Sequence, residues 1–93
     1  MAPPYVSPAL KRLAFVLFNE GGVGGKLESE RAKRLAVCSF IAWRTVESTN
    51  ELSAADWAGI VKTLEYWKEC GEIEFRCRQV ATNQSLLAEV TAS

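Results

Sequence analysis

Four cations between positions 26 and 34 are the residues of this chain best suited to binding a phosphate backbone. They are Lys26, Arg31, Lys33 and Arg34. Two glutamates are interleaved with them, an arrangement more typical of a solvated helix face. The chain has eleven basic and eleven acidic residues, whereas DNA-binding domains of this size are usually clearly basic. Accessory nucleic-acid binding through these cations is therefore the alternative hypothesis, and the neutral net charge argues against the chain binding nucleic acid on its own.

Catalysis is disfavoured by the residue types that the sequence lacks. It contains no histidine, which removes the usual general base, the Ser-His and Cys-His pairs, and the commonest zinc ligand. Its acidic residues are dispersed rather than clustered as calcium ligands are. The glycine-rich segment 21–25 lacks the GxxxxGK[ST] pattern of a phosphate-binding loop. We therefore expect a non-enzymatic protein with no catalytic residue, no metal ion and no cofactor.

Aromatic side chains are the candidates for contacting a protein partner. Trp57 and Trp67 lie on one apolar stripe of a predicted helix, which is typical of core packing and, less often, of an exposed anchor. Tyr66 falls off that stripe and should be partly exposed. Trp43 lies in the apolar second half of another predicted helix. If exposed, these four residues are the candidate partner-binding anchors.

The cysteines and the hydropathy pattern bear on the compartment. The chain has an odd number of cysteines, Cys38, Cys70 and Cys77, and no two of them have CxxC spacing. The N-terminal segment lacks the basic-then-apolar order of a secretion signal, and no apolar run is long enough to span a bilayer. We therefore expect reduced thiols, no membrane contact and a cytoplasmic location.

Caps and apolar spacing predict the first two helices. Ser7-Pro8 opens the first helix, and the glycine pair at 21–22 ends it. The second should run from about residue 28 to about residue 44. Its second half is apolar nearly all round, which predicts that this helix is the central and most buried one.

A capping box predicts the start of the third helix. Ser53 and Asp56 stand three residues apart and can satisfy each other's backbone N–H groups. Leu52 and Trp57 occupy the two positions of a hydrophobic staple. The apolar stripe continues to about Cys70, and a following glycine should end the helix.

An alternating pattern predicts an extended tail. Ile73, Phe75 and Cys77 alternate with charged residues, which favours a strand over residues 73–78. A lone strand needs an edge to pair with. Two alternatives are a tail lying on the bundle and pairing with the same strand of a second chain, which would make these three residues dimer contacts. A short final helix is predicted over residues 83–90.

The fold class that follows is mainly α, a small bundle of three principal helices with an extended or β-like C-terminal segment. The predicted organisation is an N-terminal arm over residues 1–6, a helical domain over 7–71 and a C-terminal tail over 72–93.

Three segments resemble the sequence pattern of a small helical module. They are NEGG at 19–22, RAKRLA at 31–36 and VESTNELSAAD at 46–56. The stretch from about residue 13 to about residue 64 resembles a small module of actinobacteriophage proteins, and that module often resembles the C-terminal domain of phage single-strand annealing and recombination proteins. The resemblance implies a helical fold, a phage origin and contacts with partner proteins rather than with the DNA strand.

The leading hypothesis combines these observations. The chain is interpreted as a phage-encoded, non-enzymatic protein-interaction module in the bacterial host cytoplasm. Its partner would be a replication or recombination protein, or a host protein with which it interferes. A homodimer is compatible with either this hypothesis or the nucleic-acid alternative.

Overall fold

The described part of the chain folds into four α-helices around one hydrophobic core. The computed structural model describes the backbone of residues 6–92 and the side chains of residues 6–83. The helices are α1 (Pro8–Glu20), α2 (Glu28–Ala42), α3 (Ala54–Glu69) and α4 (Ile73–Ala92), with a short 3₁₀ turn at Thr49–Glu51. No strand occurs in the described residues. The predicted mainly α class is confirmed, whereas the arm predicted over residues 1–6 lies almost wholly outside the described residues.

Helix α3 contributes more buried residues to the core than any other described helix. Its buried residues recur at three- and four-residue steps and are Trp57, Ile60, Val61, Leu64 and Trp67. In α2 only Val37 and Cys38 are buried, so the prediction that α2 is the most buried helix is wrong. Helices α3 and α4 pack against α2. In its second half Phe40 nevertheless stays exposed, and Ile41 and Ala42 are only partly buried.

The predicted strand over residues 73–78 is wrong, because these residues form the first turns of α4. Ile73, Cys77 and Val80 are buried together with the core of the other helices. Their four- and three-residue steps define a helical stripe, which the alternation of residues 73, 75 and 77 obscured. Phe75 faces away and is exposed.

This correction removes the predicted strand pairing between two chains. Ile73 and Cys77 are buried within their own chain, so they are not exposed dimer contacts. The predicted helix over residues 83–90 is helical, but as the continuation of α4 rather than a separate element. Because α4 shares the core of α1, α2 and α3, the tail is part of the same bundle.

Two glycines with positive φ close α1 and α3. Gly22 has φ 79° and Gly71 has φ 73°, a region that glycine adopts without steric cost. After α1, the N–H of Val23 donates to the carbonyl of Phe18 at 2.9 Å. After α3, the N–H of Glu72 donates to the carbonyl of Trp67 at 2.9 Å. Both ends are Schellman motifs, so the predicted glycine stops are confirmed.

The two predicted helix starts differ in how they are capped. At α3 the Ser53 hydroxyl accepts from the Asp56 N–H at 3.1 Å, and the Asp56 carboxylate accepts from the Ser53 N–H at 2.9 Å. The predicted capping box is therefore present. At α1, Ser7 occupies the N-cap and Pro8 follows it, but the Ser7 side chain makes no capping hydrogen bond.

Candidate functional site

The structure separates the four predicted aromatic anchors into two groups. Trp57 and Trp67 are buried in the core, which confirms the packing interpretation of their stripe. They are therefore not accessible to a partner. Trp43 is 93% exposed and Tyr66 is 64% exposed. Tyr66 lies on the outer side of α3, as its position off the apolar stripe predicted. Trp43 is therefore the most exposed of the predicted anchors.

Trp43 ends α2 in a left-handed backbone conformation. Its φ of 61° and ψ of 31° place it in the region normally occupied by glycine or asparagine at a helix end. The N–H groups of Trp43 and Arg44 both donate to the carbonyl of Ser39. A left-handed conformation costs a residue with a Cβ about 1–2 kcal/mol. Helix α2 therefore ends at Ala42, two residues before the predicted end. The residue that follows, Trp43, is bulky and its backbone is strained.

Phe40 lies one turn before Trp43 and forms with it what we call the aromatic corner. Phe40 is 48% exposed, and its ring centroid lies 6.5 Å from that of Trp67. The two corner residues border a shallow depression of about 350 Å³ whose other lining residues are Ser39, Arg44 and Thr45. The corner thus places a projecting indole beside a partly apolar hollow.

Arg44 fixes the backbone that carries the corner. Its guanidinium donates two hydrogen bonds to the Asp56 carboxylate, at 2.7 and 3.2 Å, and a third to the Glu51 carbonyl at 3.2 Å. The hydrogen bonds from Arg44, together with the one from the Ser53 N–H, lower the pKa of Asp56 to about 2. The same carboxylate therefore caps α3 and holds the segment that follows Trp43.

The Ser39 side chain provides a second fixed point. Its hydroxyl donates to the Leu35 carbonyl at 2.8 Å and accepts from the Val46 N–H at 2.9 Å. The segment after α2 is therefore held from both sides, since Ser39 binds its backbone and Arg44 reaches across to α3. A rigid support of this kind reduces the entropy lost when an exposed side chain is bound.

Acid should destabilise the protein through Asp56. Its folded-state pKa of about 2 lies below its ordinary value of 3.8, so the unfolded chain takes up the proton more readily. The stabilisation is complete above about pH 5 and is lost progressively as the pH falls through 3.8 towards 2. We expect this carboxylate to contribute about 1–2 kcal/mol at neutral pH. Urea denaturation of the wild type and of Asp56→Asn at several pH values measures the contribution.

Asp56→Asn should lower the free energy of unfolding at neutral pH and flatten its dependence between pH 4 and pH 2. Glu47→Gln is the matched control, because Glu47 is an exposed carboxylate outside the capping box. Its stability should stay within about 0.5 kcal/mol of the wild type. An acid-induced loss of stability as steep in Asp56→Asn as in the wild type would contradict the assignment.

The four predicted nucleic-acid-binding cations are not brought together. Arg34 turns towards the glycine-rich loop and donates to the carbonyls of Val23 at 2.8 Å and Gly25 at 2.9 Å. Its guanidinium also lies 5.1 Å from the centroid of the Phe15 ring. Arg34 thus ties the loop and α1 to α2, which is a structural role.

The remaining cations face different directions. Arg31 pairs with Glu28 at 3.6 Å, and Lys33 follows two positions later on the same helix. Residues two apart on a helix are rotated by about 200°, so the two side chains leave opposite sides of α2. Lys26 is exposed in the loop before the helix. No single basic face results from the four residues.

The cysteines differ in accessibility. All three are free thiols, with Cys38 and Cys77 buried and Cys70 exposed. Burial raises the pKa of the Cys38 thiol to about 12 and that of Cys77 to about 11. A thiol that is protonated at neutral pH is a poor nucleophile, so the two buried cysteines serve as core residues.

Sequence reasoning identified Trp43 but missed Phe40 and Arg44 as its neighbours in a site. The one signal in the sequence was the absence of glycine or asparagine after α2, which left the helix end without its usual residue.

Among the described residues, no cluster of side chains could hold a metal ion, and no helix is long and apolar enough to cross a membrane. Comparison with protein families, with curated proteins and with solved structures finds no match to this chain.

Proposed function

We propose that this chain is a non-enzymatic protein-interaction module that binds its partner through the aromatic corner of Phe40 and Trp43. The observation that supports the proposal best is Trp43, which is 93% exposed and left-handed. The resemblance to the actinobacteriophage module supports a phage-encoded protein whose partner is a replication or recombination protein or a host protein.

The backbone of Trp43 supports a role in binding. Glycine at this position would end α2 without the steric cost of about 1–2 kcal/mol, and the indole makes up none of the buried core. The Trp43 side chain therefore makes no evident contribution to the stability of the fold. Strained residues that the surrounding structure holds in place are enriched at functional sites, and Arg44 and Ser39 supply that support.

The side-chain chemistry of the corner suits a protein surface better than a nucleic acid. Tryptophan is among the residues that contribute most to protein–protein binding energy, and a buried tryptophan removes about 150–250 Å² of surface from water. Arg44 is the cation that lines the depression beside the corner, and Asp56 already pairs with it at 2.7 Å. The corner therefore offers an apolar anchor with little free positive charge.

Replacing Trp43 with glycine tests the function and separates it from folding. The substitution removes the indole and relieves the left-handed strain, so we expect stability to rise by about 1 kcal/mol. Binding to a partner should fall at least tenfold, the effect typical of a binding hot spot. Immobilised wild type and variants are first used to capture partners from a bacterial host lysate, and each purified partner is then titrated by calorimetry.

Tyr66→Ala is the matched control, because it removes another exposed aromatic from a different helix. It should bind the purified partner as the wild type does. A partner that binds Trp43→Gly and the wild type equally well would contradict the proposal. Salt-sensitive binding of a short single-stranded oligonucleotide that Trp43→Gly leaves unchanged would instead favour the nucleic-acid alternative.

A further inference from the structure

Helices α1 and α3 form a second surface that is independent of the aromatic corner. Lys11 lies over the Trp57 ring at 5.9 Å near one end, and Lys68 pairs with Glu20 at 3.1 Å near the other. The two helices therefore run in the same direction. Between them lies a groove of about 350 Å³, the α1–α3 groove, lined by Leu13, Val16, Leu17, Glu20, Glu65, Lys68 and Glu69.

The floor of the groove exposes apolar side chains of α1. Leu13 is 41% exposed and Val16 is 53% exposed, although each lies on a helix whose other face is packed in the core. Neither Phe40 nor Trp43 lines this surface. The groove is therefore a separate apolar surface on which an occupant could pack.

One end of the groove is acidic. It carries the carboxylates of Glu20, Glu65 and Glu69 and the ammonium group of Lys68. Lys68 pairs with Glu20. Among the described side chains, Glu65 and Glu69 form no ion pair. The C-termini of α1 and α3 lie at this same end, and their dipoles add negative potential.

The opposite end of the exposed α1 face is basic. Arg12 is exposed there, and it forms no ion pair with any described side chain. Arg12, Val16 and Glu20 are spaced four residues apart and share one face of the helix. This face therefore runs from a positive residue through an apolar centre to a negative residue.

Such a face is complementary to itself when two copies are antiparallel. With Val16 opposite its own copy, Arg12 lies opposite Glu20 of the partner subunit, since both are four residues from the centre. The same arrangement places Arg12 near Glu65 and Glu69 of the partner subunit, which flank Glu20 in the groove. Two-fold symmetry repeats every contact, as an isologous interface requires.

We propose that the α1–α3 groove binds a second copy of this chain, with the two α1 helices antiparallel and Val16 at the two-fold axis. Helix α1 has 13 residues and is about 20 Å long, so the interface falls at the small end of specific interfaces, near 1,200 Å². The dimer is therefore weak, reversible and sensitive to salt. It leaves both aromatic corners uncovered.

A charge exchange tests the pairing. Variant one is Arg12→Glu, and variant two is Glu65→Lys with Glu69→Lys. Each should be monomeric in sedimentation equilibrium at concentrations where the wild type dimerises, because like charges then face each other. An equimolar mixture should form a heterodimer, because at one end Arg12 meets Glu65 and Glu69, and at the other end the glutamate introduced at position 12 meets the lysines introduced at positions 65 and 69. Lys33→Glu on α2 is the matched control and should dimerise as the wild type does.

The charge changes should not impair folding. A glutamate in the first turns of α1 and lysines in the last turns of α3 each complement the helix dipole, and circular dichroism verifies the helix content. A monomeric wild type at every concentration would overturn the proposal and leave the groove to a basic helix of another protein. A dimer that persists in both variants would also overturn it.

The position of the two-fold axis has its own test. Val16→Cys in a Cys70→Ser background should form a disulfide-linked dimer under oxidising conditions, because a residue on the axis meets its own copy. Tyr66→Cys in the same background is the control and should not cross-link, since Tyr66 does not line the groove. Equal cross-linking of the two variants would overturn the assigned axis.

Discussion

Trp57→Ala should lower the free energy of unfolding by about 4 kcal/mol, the largest effect that we expect from any single substitution in this chain. The indole is buried at the start of α3. Its ring centroid lies 6.4 Å from that of Phe15, and Lys11 lies over it at 5.9 Å. Truncation would therefore leave a cavity between α1 and α3.

The size of this loss matters because a domain of this length has only about 5–15 kcal/mol of stability. Urea denaturation followed by circular dichroism measures it, with Tyr66→Ala as the exposed aromatic control, expected to change stability by less than about 0.5 kcal/mol. Trp57→Phe keeps a ring in the site and should lose about 1–2 kcal/mol, so the prediction stays testable if the alanine variant does not fold. Similar losses in Trp57→Ala and Tyr66→Ala would contradict the assignment.

The parts of the fold that could be predicted are those that depend on neighbouring residues. The capping box of Ser53 and Asp56 closes over three residues, and the stops at Gly22 and Gly71 use a backbone region open mainly to glycine. Such interactions form within one helical turn. The sequence alone therefore predicts the start of α3 and the ends of α1 and α3.

The start of α4 could not be predicted because a short segment fits two periods. Apolar residues at 73, 75 and 77 alternate as in a strand, while Ile73, Cys77 and Val80 fit a helix equally well. Only the second set meets a partner surface, the core formed by the other three helices. A local signal for the helix was present in the pairs Glu72–Arg76 and Glu74–Arg78, which are four residues apart and bonded in the structure.

The candidate site was predictable in residue type but not in geometry. Trp43 was a reasonable anchor from its chemistry, but its exposure follows from the end of α2 at Ala42. That end is supported by Arg44, which reaches Asp56 twelve residues along the chain. The α1–α3 groove likewise depends on the alignment of two helices that are distant in sequence. Contacts of this kind require the folded structure.

Gly21→Val should lower the free energy of unfolding by about 3 kcal/mol, at the upper end of the usual range for overpacking. A Cβ at Gly21 would lie 2.7 Å from the Cys77 sulfur and 3.6 Å from a side-chain carbon of Ile73. Both neighbours belong to α4. Gly21 itself has φ −82°, which any residue adopts, so the expected loss is steric and reports the packing of α4 on the end of α1.

A double-mutant cycle isolates that contact. Cys77→Ala removes the sulfur that the new side chain would meet, so Gly21→Val combined with Cys77→Ala should be less destabilised than the sum of the two single variants, by about 1–2 kcal/mol. Gly59→Ala is the control, because a Cβ at Gly59 meets nothing within 4 Å. This substitution should stabilise α3 by about 0.5–1 kcal/mol. If Gly21→Val were as stable as the wild type, α4 would not pack against Gly21 at the end of α1 as described.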